Sequence, residues 1–256
     1  MLINPYVFGY TPADANAIAY IAAVEAADGT GLESGVKQAI NDFVVGCKAD
    51  GTWNAIKASC ILAGARTLSG ALVPLVGAAP TNINFASGNY DRKIGISAVV
   101  NASIGSNRSA TADPQNNNHI SIYLASPLQS TGSARLIGGS FGGGTGFTSI
   151  EKNTSYISFF TRNNTSVATT TANGKMGFLG LSRLSTSVVV RFSNTSSNYT
   201  QSSNTPTPGN IAVISQVDSI AYSYSSAFYS IGESLNLALL DTRVTALINA
   251  LAAAIP

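Results

Sequence analysis

Four carboxylates lie between Tyr90 and Ile231, at Asp91, Asp113, Glu151 and Asp218. Acid–base cleavage of a glycan needs two carboxyl groups flanking the scissile bond, roughly 5 to 10 Å apart. None of the four is paired at the i, i+2 or i, i+4 spacing that would set two carboxylates on one face. The single histidine, His119, has no serine or cysteine beside it in a nucleophile motif, so a structural or solvated imidazole is expected. Cys47 and Cys60 lack the second pair that a structural zinc site requires and are expected as buried free thiols. Asp113-Pro114-Gln115-Asn116-Asn117-Asn118 offers one carboxylate where calcium loops supply several, and it reads as a turn before a strand. In the glycine run from Gly138 to Gly146, no Gly-Lys-Ser/Thr follows and no helix opens, so it reads as a flexible strand connection. The residues therefore predict a protein that is not an enzyme, with no catalytic residue, no cofactor and no metal ligand.

Around these residues the chain is β-prone. Short runs of β-branched and aromatic residues predict strands at Ile96 to Val100, His119 to Ala125, Ala134 to Ile137, Tyr156 to Thr161, Met176 to Leu181, Ser187 to Phe192, Ile211 to Gln216 and Ser219 to Ser226. No long helical pattern interrupts them, so the sheets should be antiparallel and form a sandwich. Helical patterns sit outside this region. Thr11-Pro12-Ala13-Asp14 predicts a helix start capped by Thr11, followed by the face Ile18, Ile21 and Val24. Leu32, Val36, Ile40, Phe43 and Cys47 mark a second helix, and Trp53, Ile56, Cys60 and Ile61 a third. Near the end, Val244, Leu247, Ile248 and Leu251 form the stripe of a closing helix.

Only 10% of the 256 residues are charged, against about 25% in an average globular chain. A net charge of +2 without any Lys/Arg cluster argues against nucleic acid as a partner. No basic, apolar leader opens the sequence and no run reaches ~18 apolar residues, so export and a membrane span are not expected. Asn-x-Ser/Thr triplets such as Asn101-Ala-Ser are read as turns. Between Tyr90 and Ile231 nine Lys or Arg residues outweigh the four carboxylates, a local balance modestly suited to anionic surface glycans. The Ser/Thr/Asn/Tyr-rich surface suits an adaptable binding face.

Several strings carry a family resemblance. Asn41-Asp42-Phe43-Val44-Val45-Gly46-Cys47-Lys48-Ala49-Asp50-Gly51-Thr52-Trp53, Gly64-Ala65-Arg66-Thr67-Leu68-Ser69-Gly70, Tyr90-Asp91-Arg92-Lys93-Ile94-Gly95 and Phe228-Tyr229-Ser230-Ile231-Gly232-Glu233-Ser234 resemble bacteriophage tail-associated virion proteins with a concanavalin A-like, LamG-like jelly roll. The resemblance implies a mainly β protein: an antiparallel β-sandwich (jelly roll) with N-terminal helices and a C-terminal helix. It divides the chain into a helical N-terminal attachment region at 1–70, the jelly roll at 71–231 and the C-terminal helix at 232–256. It implies a structural component of a virion, made in the host cytoplasm and placed in the tail, as a tail fibre or tail-tip adhesin touching host surface glycans beside other virion proteins. A capsid or baseplate decoration protein is the alternative, with a polysaccharide-cleaving enzyme behind it. Fibre and decoration proteins act at symmetric sites, so a homo-oligomer, a trimer, is expected, with Val244, Leu247, Ile248 and Leu251 as its interface.

Overall fold

A computed structural model describes residues 10–129, 133–139, 145–172, 174–215 and 224–256. In chain order the elements are α1 (Ala15–Asp28), α2 (Ser34–Ala49), β1 (Ile56–Ile61), α3 (Leu68–Ala71), β2 (Thr81–Ile83), β3 (Tyr90–Asp91), β4 (Gly95–Ser97), β5 (Ser103–Ser109) and β6 (Asn117–Leu128). There follow β7 (Ala134–Gly138), β8 (Thr148–Lys152), β9 (Tyr156–Thr161), β10 (Ala168–Thr171), β11 (Lys175–Leu184), β12 (Ser187–Phe192), β13 (Thr195–Thr200), β14 (Asn210–Ser215), β15 (Ser225–Gly232) and α4 (Leu237–Ala254).

The strands make two antiparallel sheets. The first runs β13-β12-β11-β6-β15-β4-β3, with β1 also pairing to β15, and the second runs β10-β9-β8-β7-β14-β5-β2. Strand alternation splits the first sheet's side chains between two cores. Ile120, Ile122, Leu179, Leu181, Tyr229 and Ile231 point into the sandwich, where they meet Ile104, Ile137, Ile150 and Phe159 of the second sheet. Tyr123, Phe178 and Phe228 point the other way into an apolar cluster with α1, α2 and α4. The fold is thus a mainly β sandwich with a helical layer on one sheet, as the strand spacing predicts.

Two local expectations need correction. The cap of α1 is Asp14 rather than Thr11: its carboxylate accepts from the Asn16 and Ala17 amides, and Lys48 reaches it at 2.8 Å. Buried Asn41 accepts from the Ala13 and Asp14 amides and so fixes where the helix begins. The third helical run is not a helix. One short turn at Trp53–Ala55 leads into β1, which inserts beside β15 with Cys60 opposite Tyr229. A strand covered on both faces is apolar at nearly every position, and over six residues that pattern also matches a helical period. The expected strand over Ser219 to Ser226 lies outside the described residues as far as 223, and β15 continues beyond it.

Helix α4 is 18 residues long with a mean hydropathy of 1.4, so by length and composition it could cross a membrane, contrary to the expectation from sequence. Its buried face belongs to the helical core, and its two charges are paired, Asp241 with Arg191 and Arg243 with Asp50.

Candidate functional site

The residues with chemical potential mostly serve the fold. His119 is buried on the helix-facing side of β6. Since a carbonyl only accepts, its Nδ1–H donates to the Glu233 carbonyl, which leaves Nε2 to accept from Ser230 Oγ at 2.9 Å. Burial lowers its pKa to about 4. Cys47 and Cys60 are buried free thiols, both pushed up to about 12 by burial. Asp113 is locked to Arg108. Asp91 accepts from the Lys93 and Ile94 amides of its own turn. Asp218 and Ser140–Gly144 of the glycine run lie outside the described residues. Among the described residues no three His, Cys, Asp or Glu side chains gather as a metal would require.

Glu151 is the exception. Strand β8 points Ile150 into the sandwich and therefore Ser149 and Glu151 away from it. The register places Arg135 of β7 and Ser158 of β9 on either side of Glu151, with Ser215 beyond Arg135 and Thr169 of β10 beyond Ser158. One polar row thus crosses the second sheet on the face opposite the core. Glu151 Oε1 accepts from Arg135 Nε at 3.3 Å, Arg135 Nη2 at 3.1 Å and Ser149 Oγ at 3.0 Å. Burial lowers the Arg135 pKa, and Glu151 opposes that shift. Along β9 the same face reads Tyr156, Ser158, Phe160. Tyr156 is 46% exposed, and Phe160 packs against Phe147 with ring centroids 4.9 Å apart. The arrangement is a recessed ion pair flanked by aromatic surface, able to orient a hydrogen-bonding ligand.

The strings that carry the phage resemblance form joints between layers. Asp28, at the end of α1, accepts from the Arg66 and Thr67 amides. Arg92 grips Glu33 with two nitrogens while also reaching the Ala65 carbonyl, which Tyr90 Oη meets at 2.7 Å. Gly95 closes the turn at φ 85, and a Cβ there would lie 2.0 Å from the Ser226 carbonyl oxygen. Gly95→Ala should therefore cost more than about 2 kcal/mol, read as a lower urea midpoint at unchanged slope. A neutral result would mean the turn adapts. At the other joint, Asn117 accepts from the Ser234 amide and Ser182 from the Leu235 amide, pinning the link from β15 to α4.

Val244, Leu247, Ile248 and Leu251, the expected oligomer interface, are all at most 5% exposed and sit in the helical core of their own chain, where α4 lies against α2. Their apolar area is already covered inside the protomer, which is the physical reason they are not free to meet a second one.

Comparison with protein-family models gives no match, and comparison with curated proteins gives none. Solved structures do resemble the fold. The crystal structure of the botulinum neurotoxin serotype D binding domain matches with a TM-score of 0.54 at 10% identity, over 75% of this chain and 50% of that one. The binding domain of botulinum neurotoxin DC in complex with rat synaptotagmin II matches at 0.53 and 9%, over 77% and 52%. Trypanosoma rangeli sialidase in complex with 2,3-difluorosialic acid matches at 0.50 and 10%, over 83% and 39%. The likeness is one of fold. The chain spans about half the length of the first two structures, and at these identities they establish a β-sandwich and nothing of the partners named with them.

Proposed function

We propose that the chain is a structural component of a phage virion, a tail-fibre or tail-tip adhesin whose second sheet contacts a host surface glycan. The observation that carries the glycan contact is the division of the two sheets. Helices cover the outer face of the first, whereas on the second the row Ser215, Arg135, Glu151, Ser158 and Thr169 lies opposite the core beside Tyr156 and Phe160, with Arg135 and Ser158 buried, Glu151 partly exposed, and Thr169 and Tyr156 exposed. The phage setting is supported by the resembling strings at the two joints. In this reading the protein sits in the tail beside other virion proteins as a homotrimer that gains avidity from several weak faces, with an interface other than Val244, Leu247, Ile248 and Leu251.

It is a binder rather than a hydrolase, because the lateral neighbours of Glu151 are a guanidinium and a hydroxyl rather than a second carboxylate. Two measurements test this. Mass spectrometry of purified particles should find the protein at the low copy number of a tail component; the high copy number of a shell would move it to the decoration role, and absence would overturn the virion reading. Incubation with host polysaccharide should release no oligosaccharide, and release abolished by Glu151→Gln would make the protein an enzyme.

A further inference from the structure

The three donors that Glu151 receives all fall on Oε1. Oε2 takes no hydrogen bond among the described residues, and the side chain is 17% exposed. An ionised carboxylate only accepts, so a ligand at Oε2 has to bring O–H or N–H donors. Arg135 in the same row repels a second cation, which disfavours an ammonium ligand. A ligand carboxylate or sulfate would meet an oxygen whose one cationic partner is already engaged on the other side. Uncharged hydroxyls remain. Tyr156 and Phe160 stand two residues to either side of Ser158 on β9 and provide apolar surface for the C–H faces of a ring.

Resting on the glycan-contact reading above, we infer that Glu151 Oε2 accepts hydroxyls of a neutral sugar, so that this face selects uncharged glycans and rejects anionic ones, against the preference that the +5 local charge balance suggests. The row, rather than the summed charge of the region, decides what is recognised.

The test is direct binding of the full chain to neutral hexose oligosaccharides and to their sialylated or uronic acid-containing counterparts. The wild type should bind the neutral set at least about tenfold more tightly. Glu151→Gln should weaken neutral binding by about 10- to 100-fold, the range expected for hydrogen bonds to a charged group. It should also narrow the gap between the two sets. Thr195→Ala, on the exposed strand β13 of the other sheet, should leave both affinities and their ratio unchanged. Preference for the anionic set, or unchanged neutral binding by folded Glu151→Gln, overturns this inference and leaves the glycan-contact reading standing. Binding to neither set overturns that reading and this one with it. Should Glu151→Gln fail to fold, the wild-type ratio alone decides.

Discussion

Replacing Leu247 and Leu251 together by glutamate should unfold the protein rather than release soluble monomers. Leu251 is fully buried and Leu247 2% exposed, within the cluster that joins α4 to α2 and the first sheet. Truncating either to alanine should cost about 2 to 5 kcal/mol. Two uncompensated carboxylates in the same place exceed what a domain of about 5 to 15 kcal/mol total stability can absorb. Circular dichroism and urea unfolding of the alanine variants give the size of the loss, and solubility and the hydrodynamic radius of the glutamate variant give its outcome. A folded, monomeric double-glutamate variant would show that these residues face another subunit.

Acidification from pH 7 to 5 should lower stability by on the order of 2 kcal/mol through His119 alone. Its pKa in the fold, about 4, lies below the ordinary 6.5, so the folded protein holds the neutral ring while the unfolded chain takes up a proton first. The sign follows: the contribution is complete above pH 6.5, is lost as the pH falls from 6.5 towards 4, and changes no further below that. The contacts agree, because a protonated ring would donate from both nitrogens, and Ser230 would then have to give up donating to it. Asp14 and Glu33, held low chiefly by Lys48 and Arg92, lose their contributions at more acid pH, so the window from 6.5 to 5 isolates the histidine. His119→Gln should be less stable at pH 7 yet nearly flat across that window by urea midpoint. An equally steep profile in the variant would assign the dependence to another group.

The helices were legible where one face alone is apolar: Val36, Ile40, Phe43 and Cys47 are buried as their spacing predicts. Strands with apolar alternation were legible too, β9 and β12 to the residue. Strand β13, Thr-Ser-Ser-Asn-Tyr-Thr, is exposed throughout and held by pairing to β12, so no hydrophobic pattern announces it. Strands β5 and β8 carry one core-facing isoleucine each, Ile104 and Ile150, too little for a period. Missing β8 concealed the site. Glu151 was visible as an isolated carboxylate, but Arg135 and Ser158 become its neighbours only through the register of β7, β8 and β9, which no spacing along the chain encodes.

Strand β1 has its partner at the far end of the chain, Cys60 and Tyr229 being 169 residues apart. During synthesis at about 5 to 20 residues per second, β1 leaves the ribosome roughly 10 to 30 s before β15 exists. Helix α4, which covers α2, comes later still. Throughout that interval β1 lacks its strand partner and the side of α2 that meets α4 lacks its cover, while α1 already packs against α2. Closure of the first sheet is accordingly a late event, and its rate is set by a long-range pairing rather than by local helix formation.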